Sequence, residues 1–203
     1  MKNIDSEKTE IEILNAAKEV FQQKGMAGAR MQEIADRAHI NKALLHYYFR
    51  SKQLLFEAVF KSAFKLLAPQ LNKVLNDDSD LFEKIRSFTE SYVSFVIKHP
   101  YLPNFVRQEL SKNPDFVQKL RAEKNFPTID KFKIQVNDAI NQGIIKPIEA
   151  EQLFINIISL NVFPFIGEPL LMALANVDKE SYDKILKKRK TEVAAFIINS
   201  IKI

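Results

Sequence analysis

Residues that break helices are scarce in this chain, and that scarcity constrains its fold more than any other feature. The 203 residues include only 4 glycines and 8 prolines. Between these breakers, apolar residues recur at the i, i+3, i+4, i+7 spacing of an amphipathic helix. The first such stripe consists of Ile13, Ala16, Ala17, Val20 and Phe21. Because no segment shows useful strand alternation, we predict an all-α fold of about nine helices.

The few breakers and caps mark the expected helix ends. Gly25 suits the left-handed position that follows a helix. Ser51 can cap the helix after it, and Asp80 with Glu83 can form a capping box. Pro69 is expected to kink or end the helix that contains it. Short helices give way to long ones near Ser51, so the predicted domain boundary lies there.

Composition narrows the functional classes. The apolar fraction of 46% can supply a real core, and the net charge of +5 permits a nucleic-acid partner without establishing one. The absence of cysteine excludes disulfides and thiolate metal sites and fits a cytoplasmic protein. The polar start, 1–10, is unlike a signal peptide, and the longest uncharged stretch, 152–167, is shorter than the ~20 residues of a membrane span. We expect no membrane association, no metal and no cofactor.

Two short helices with a tight connection stand out near the start of the chain. They cover about 31–38 and 42–49, with 39–41 between them, and this is the pattern of a helix-turn-helix. No acidic residue occurs from Arg37 to Phe56. The basic residues in that segment are Arg37, Lys42, Arg50 and Lys52. A carboxylate-free, basic helix-turn-helix is suited to the phosphate backbone of DNA.

A longer pattern of fixed spacing surrounds these two helices. It begins Ile13-Leu14-x-Ala16-Ala17-x-x-x-Phe21-x-x-x-Gly25. It continues Ile34-Ala35-x-x-Ala38-x-Ile40-x-Lys42-x-x-Leu45-x-x-Tyr48-Phe49-x-Ser51-Lys52-x-x-Leu55. This quarter of the chain resembles the TetR family of bacterial repressors, whereas the remainder is similar only in size and helix content. The resemblance implies a three-helix DNA-binding domain at 1–51 and a larger ligand-binding and dimerisation domain at 52–203.

Two departures from the family pattern affect the helix-turn-helix. His39 stands in the turn where the family usually has glycine, and histidine tolerates a left-handed conformation better than most residues. Ala29 and Arg30 stand where the family often has a Thr or Ser cap, which predicts a weaker cap on the first short helix. Arg30 could instead contact a phosphate.

The candidate DNA contacts combine the outward face of the second short helix with its flanks. Lys52 follows the Ser51 cap at a helix N-terminus, which is a ready phosphate site. Leu44 could contact a thymine methyl group, and His46 could contact a phosphate or pack at the helix junction. The full set is Arg30, Gln32, Lys42, Ala43, Leu44, His46, Tyr47 and Lys52. Tyr48 and Phe49 are expected in the core.

Aromatic residues are frequent beyond this segment. Such residues usually fill a core, but the resemblance implies a ligand cavity, and cavities are mostly apolar with few polar groups. We predict a repressor released from operator DNA by a small hydrophobic or aromatic ligand. The candidate lining residues are Phe60, Phe64, Phe88, Tyr92, Phe95, Phe105, Phe132 and Phe154.

Two helices carry apolar residues on more than one face, which predicts a partner surface. They lie at about 153–163 and from about 179 to the C-terminus, and the breakers Pro164, Gly167 and Pro169 lie between them. Pairing across a two-fold axis would form a four-helix homodimer interface. The candidate interface residues are Leu153, Ile157, Ile158, Val193, Ile197 and Ile201.

Other functional classes have less support. The sequence contains no HExxH, no Glu-x-x-His pair, no glycine-rich phosphate loop and no G-x-S-x-G elbow, so we predict that it is not an enzyme. An architectural helical protein would leave the carboxylate-free segment unexplained. A second basic cluster, at 184–190, has i,i+4 acidic partners and is expected to be a solvated helix face rather than a nucleic-acid site.

Overall fold

The computed structural model describes residues 2–104, 106–107, 115–122 and 126–203, without the side chains of 2–5 and 116. These residues are largely helical, which confirms the all-α prediction. The helices whose bounds the structure describes are α1 (Lys2–Gly28), α2 (Met31–Arg37), α3 (Lys42–Tyr48), α4 (Lys52–Asn76), α5 (Leu81–Lys98), α6 (Phe116–Arg121), α7 (Asp130–Asn141), α8 (Ala150–Ile166), α9 (Glu168–Ala175) and α10 (Lys179–Ile201). One isolated antiparallel bridge joins Ile145 and Lys202.

The chain divides into two compact units, an N-terminal unit at Met1–Lys65 and a C-terminal unit at Leu66–Ile203. The division therefore falls inside α4, whereas the sequence places the boundary near Ser51. Phe56 explains why the start of α4 belongs to the first unit, because its ring lies 4.4 Å from that of Phe21 in α1. Pro69 lies inside α4 and does not end it.

The N-terminal unit is built on the apolar stripe of α1. All five residues of that stripe are buried, as are Ile34 of α2 and Leu45 of α3. Each short helix is thus anchored by a central apolar residue that is buried within the unit. Burying one side of α3 necessarily turns its other side outward.

The turns of this unit depend on residues in the left-handed region. Gly25 interrupts α1 with φ 63° and ψ 179°. His39 adopts φ 55° between α2 and α3, as predicted for the residue that replaces the family's glycine. Asn41 then caps α3, because its side-chain oxygen accepts a hydrogen bond from the amide of Leu44 at 2.8 Å. His39 and Asn41 together mark the turn between α2 and α3 and the residue at which α3 begins.

The core of the C-terminal unit lies around α5. Helices α8 and α10 both pack against α5, and α7 packs against α5 and α8. The most deeply buried side chains of this core include Ile85 and Phe88 of α5, Val136 of α7 and Leu153 of α8. Asp80 caps α5 by accepting hydrogen bonds from the amides of Phe82 and Glu83, as the sequence predicts.

A fully buried lysine closes the end of α4. Lys84 of α5 has no solvent exposure, and its Nζ donates to the carbonyl oxygens of Val74 at 2.7 Å and Asp77 at 3.1 Å. The same ammonium donates to Oδ1 of Asp77 at 2.8 Å. The bonds from Lys84 and Ser79 lower the pKa of Asp77 to about 2. Lys84 therefore supplies the donors that the last carbonyls of α4 lack.

Helix α8 contains a proline that α10 compensates. Pro164 has no N–H to donate to the carbonyl of Leu160, and Nη2 of Arg189 donates to that carbonyl at 2.6 Å. The hydroxyl of Tyr182 donates to the carbonyl of Pro164 at 2.9 Å. Arg189 is half-buried, and burial lowers its pKa. The expectation that Arg189 belongs to a solvated basic face is therefore wrong, because its guanidinium is directed into the α8 backbone.

Helices α8 and α9 are strongly apolar and meet at Gly167 with an angle of 81°. Among the described residues, no single helix is long and apolar enough to cross a membrane. This bent pair meets the length and composition of a span only when both helices are counted together.

Candidate nucleic-acid interface

The outward side of α3 is a small, mixed surface. Leu45 is fully buried and Phe49 is nearly so, Tyr48 is partly buried, and the other side chains of the helix are exposed. The exposed residues predicted to contact DNA are Lys42, Ala43, Leu44, His46 and Tyr47. Tyr47 is the most prominent of them, with 80% of its surface exposed. A helix with one cation, two small or apolar side chains and two hydrogen-bonding rings on a single face can enter a major groove.

Both carboxylates of α2 already have partners. Asp36 of α2 accepts a hydrogen bond from the amide of Gln32 at 2.8 Å. Glu33 pairs with Lys24 at 2.7 Å. Arg30 occupies the N-cap position of α2, makes no side-chain cap and is exposed, as the sequence suggested. Gln32 is thus partly committed to Asp36, whereas Arg30 is available to a phosphate.

Arg37 belongs to the carboxylate-free segment, but its guanidinium is bound to α1 and is not free to contact DNA. Its guanidinium donates to Glu19 at 3.3 Å and to Gln23 at 3.4 Å, and both acceptors belong to α1. The contact joins the end of α2 to α1. Arg37 therefore contributes to the scaffold of the helix-turn-helix.

His46 packs at the helix junction, one of its two predicted roles, and its position still permits the other, a contact with a phosphate. Its Nδ1 lies 3.3 Å from the carbonyl oxygen of Arg50, at the junction that follows α3. Because a carbonyl only accepts hydrogen bonds, Nδ1 must carry the proton in this contact. The ring remains exposed, so Nε2 stays available to a nucleic-acid group.

Lys52 is partly buried and faces backbone carbonyls of its own unit. Its Nζ donates to the carbonyl oxygen of Ala29 at 3.0 Å and to that of Ala27 at 3.4 Å. Ser51 caps α4 as predicted, since its Oγ accepts from the amide of Leu54 at 3.1 Å. The first amides of α4 remain a possible phosphate site, but the ammonium is engaged elsewhere.

A contact at the far end of α3 has no counterpart in the sequence analysis. The hydroxyl of Tyr48 lies 3.1 Å from Oγ of Ser6 in the first turns of α1. The rings of Tyr47 and Tyr48 meet edge to face at 5.6 Å. Tyr48 thus links the exposed Tyr47 to α1, a connection across 42 residues that no local pattern reveals.

The predicted ligand-lining aromatics belong to both units. Phe60 and Phe64 stack at 5.8 Å within the N-terminal unit. In the C-terminal unit, Phe154 contacts Phe132 at 5.9 Å and Phe88 at 5.8 Å, and Phe88 stacks on Tyr92 at 5.9 Å. Phe88 and Phe132 are fully buried parts of the core. Burial also raises the pKa of Tyr92 to about 12.

One candidate lining residue does border an open space. Phe95 lines a groove of about 420 Å³ between α4 and α5, together with polar side chains that include Gln70, Ser91 and Ser94. Phe105 lies outside the described residues. The structure therefore brings four aromatics together in a packed row and places Phe95 at a mixed polar groove.

The predicted interface residues lie mostly in the core of their own chain. Each of five among them is at most 5% exposed, and Ile158 is partly buried. Those five are Leu153, Ile157, Val193, Ile197 and Ile201. The exposed apolar surface of α8 and α10 is formed by other residues, among which Ile155, Phe163 and Phe196 are more than half exposed. A groove of about 310 Å³ lies between the two helices, beside Phe196 and Ser159.

Comparison with known proteins connects this architecture to a family. Residues 13–59 match the family model described as bacterial regulatory proteins, tetR family. The transcriptional activator FasR of Mycolicibacterium smegmatis is 34% identical over 85 residues, which cover 42% of this chain and 39% of FasR. The transcriptional repressor NicS of Pseudomonas putida is 25% identical over 143 residues, which cover 70% of this chain and 62% of NicS. The chain thus matches less than two thirds of the length of either relative.

The fold has a solved counterpart over nearly the whole chain. A mutant of the regulator HlyIIR superposes with a TM-score of 0.65 at 23% identity, and the match covers 97% of this chain and 98% of that one. The similarity extends through the C-terminal unit, beyond the residues that the family model matches. It therefore supports the arrangement of helices in a region where the sequence pattern was weak.

Proposed function

We propose that this chain, whose residues 13–59 match the tetR family of bacterial regulatory proteins, binds double-stranded operator DNA as a homodimer and represses transcription until a small hydrophobic ligand releases it. The observation that carries this proposal is the exposed face of α3. It projects from a helix-turn-helix whose segment from Arg37 to Phe56 contains no carboxylate. A surface without acidic groups can approach DNA phosphates without repulsion.

The side chains of α3 divide into two roles. Ala43, Leu44 and Tyr47 can enter the major groove, where an apolar side chain fits against the methyl group of thymine. Lys42 and Arg50 are exposed at the two ends of the helix, where phosphates flank a bound recognition helix. This division predicts operators with thymine at positions facing Ala43 and Leu44.

A homodimer would use the exposed face shared by α8 and α10. The exposed apolar residues Ile155, Phe163 and Phe196 would be covered there, and the groove between the helices could receive a side chain of the partner. A two-fold axis would present two copies of α3 to successive major grooves about 34–36 Å apart. The operator would then be nearly palindromic.

The ligand would act through the C-terminal unit. Its row of packed aromatics, from Phe132 through Phe154 and Phe88 to Tyr92, favours a hydrophobic or aromatic compound. Such a compound can release DNA only to the extent that it prefers the state that does not bind DNA. The relatives include both an activator and a repressor, so repression is the part of the proposal that reporter assays must decide.

The DNA-binding proposal is tested by selection of binding sequences from a random duplex library, followed by affinity measurements across salt concentrations. Lys42→Ala should weaken binding and reduce the slope of log K against log[salt] by about one unit, because one phosphate contact is lost. Lys187→Ala, in the basic segment of α10, is the matched control and should change neither quantity. If Lys187→Ala weakened binding and Lys42→Ala did not, the nucleic-acid site would lie on α10 instead.

The ligand proposal requires a separate measurement. Hydrophobic and aromatic compounds are screened by thermal shift, and each stabilising compound is then added to the protein–DNA complex. We expect the compounds that raise Tm also to release DNA, since binding to one state shifts the population away from the other. A screen in which only small, highly polar metabolites bind would contradict the proposed ligand class.

A further inference from the structure

A polar layer separates two apolar clusters in the core of the C-terminal unit. Each cluster takes residues from α5, α8 and α10: Phe88, Ile157 and Val193 belong to the first, and Val93, Phe165 and Leu186 to the second. Between the two clusters, the same three helices carry Thr89, Asn161 and Arg189, which we call the polar junction. Polar side chains at such a depth normally have all their partners inside the protein.

We propose that the polar junction is the head-group site for a ligand that carries a hydroxyl group on a hydrophobic, aromatic body. The inference rests on the proposed ligand-controlled function and deepens it, because it names the polar group by which such a ligand is recognised. Among the described residues, the junction has one buried acceptor and one buried donor without a partner. A hydroxyl group can donate to the first and accept from the second.

The unused acceptor is the amide oxygen of Asn161. The side chain of Asn161 has no solvent exposure, and its Nδ2 donates to Oγ1 of Thr89 at 3.3 Å. Thr89 is fully buried as well. Within the described part of the chain, Oδ1 of Asn161 receives no hydrogen bond. Because an unpaired acceptor in the core is unfavourable, a ligand that brings a donor to Oδ1 removes that cost.

The unused donor is the Nε group of Arg189. Nη2 of the same guanidinium donates to the carbonyl oxygen of Leu160, the residue before Asn161, at 2.6 Å. Nε is buried and has no acceptor among the described residues. Burial lowers the pKa of Arg189 more than the charge of Glu192 raises it. The guanidinium and the amide are therefore anchored at consecutive residues of α8, where one small polar group can meet both.

Other head groups match the junction less well. A carboxylate would satisfy Nε of Arg189, but its oxygens only accept hydrogen bonds and would oppose Oδ1 of Asn161. An ammonium group would satisfy Oδ1 and be repelled by the guanidinium. An ether oxygen accepts but cannot donate. A hydroxyl group is small, uncharged and able to satisfy both atoms.

Aromatic side chains beside the junction define the body of the ligand. Tyr92 and Phe95 each pack against both apolar clusters and are only partly buried. Phe95 also borders the groove of about 420 Å³ between α4 and α5, which offers an entrance. A flat ring placed beside these two residues would contact apolar surface while its hydroxyl group points to the junction. Sites of this composition, mostly apolar with a few placed polar groups, are typical for small ligands.

The experiment measures the binding of matched aromatic probes to the full-length protein by isothermal titration calorimetry. The probes are 2-naphthol, its methyl ether and 2-naphthoate, with 4-phenylphenol and its methyl ether as a second scaffold. We expect each phenol to bind about tenfold or more tightly than its ether, since one hydrogen bond to a buried partner is lost in the ether. Asn161→Leu should remove this preference. Asn156→Leu, on the exposed side of the same helix, is the matched control and should preserve it.

The proposal is overturned if phenol and ether bind equally, if 2-naphthoate binds most tightly, or if the preference persists in Asn161→Leu. It is overturned too if none of the probes binds. If Asn161→Leu does not fold, Asn161→Ala, which also removes the acceptor, is measured in the same way and should lose the preference. If no compound of any class releases DNA, the proposed ligand control fails, while the comparison of phenols with ethers still tests the junction.

Discussion

Replacement of Lys84 by methionine isolates the contribution of one buried charge to the C-terminal unit. Methionine retains most of the side-chain length and apolar stem but cannot donate. The change would remove all three hydrogen bonds of the ammonium, two to the carbonyls of Val74 and Asp77 and one to the Asp77 carboxylate. The end of α4 and the loop before α5 would lose their common donor.

Two opposing effects set the magnitude. Hydrogen bonds from a charged donor contribute about 1.5–3 kcal/mol each, so the three together are substantial. Against this, the ammonium of Lys84 is fully buried, and removing its desolvation penalty returns several kcal/mol, roughly half or more of what the bonds contribute. The Asp77 side chain is 37% exposed and can rehydrate when its partner is lost. We therefore expect a net loss of about 2 kcal/mol in the free energy of unfolding, or roughly 6 °C in Tm.

Thermal and urea unfolding at neutral pH measure this loss. Lys131→Met is the control in the same region, because Lys131 pairs with Asp78, whose side chain is fully exposed, and the loss of that pair should change Tm little. If Lys84→Met were as stable as the unchanged protein or more stable, the desolvation penalty would outweigh the bonds, and the assignment of Lys84 as a stabilising cap would be refuted.

The same substitution has a defined pH dependence. Binding to Lys84 and Ser79 lowers the pKa of Asp77 from 3.8 to about 2 in the folded protein. A lowered carboxyl pKa stabilises the fold above the unfolded value, so this contribution is fully present above pH 3.8 and is lost as the pH falls towards 2. The stability difference between the unchanged protein and Lys84→Met should accordingly be constant near neutral pH and decrease below pH 3.8.

Two further substitutions test the turn and the partner surface. His39→Val should lower Tm relative to His39→Gly, because a β-branched residue is strongly disfavoured at φ 55°, and scanning calorimetry of both variants would expose an incorrect turn if their order were reversed. Phe196→Glu should convert the proposed homodimer to a monomer in light scattering while preserving helical circular dichroism. Ile197→Asp, which places a charge in the core of the chain itself, should instead reduce the helical signal. A stable Phe196→Glu dimer would exclude this face as the interface.

The N-terminal unit could be predicted from sequence in unusual detail because its signals are local. Gly25 and His39 mark left-handed turns by residue type, and Ser51 marks a cap by its place before an apolar run. The side of α3 that faces outward follows from the positions of Leu45 and Phe49 alone. Each of these inferences needs only the few residues on either side.

Contacts between distant segments could not be predicted in this way. Lys52 and Arg189 both look like surface cations, since their acceptors are backbone carbonyls 23 and 29 residues away. A carbonyl has no sequence signature, so nothing in the pattern shows that it lacks a donor. For Leu160 an indirect signal exists, because a proline four residues later removes the donor of that carbonyl.

The predicted interface residues show a second limit of prediction from sequence. The sequence assigns Val193 and Ile197 to a partner surface because their helix carries apolar residues on more than one face. In the structure α10 packs against α5, so these residues fill the chain's own core. An apolar surface on several faces shows that a helix is covered, but it does not distinguish cover by the same chain from cover by a second copy.

The dependence of α8 on α10 has a consequence for the order of folding. The carbonyl of Leu160 faces Pro164 within its own helix and obtains its donor from Arg189, which leaves the ribosome 29 residues later. Until α10 docks, the last turns of α8 hold an unsatisfied acceptor and an unanchored Pro164 carbonyl. The end of α8 therefore completes its structure only together with α10, late in synthesis, and the two segments should also open together when the native protein transiently unfolds.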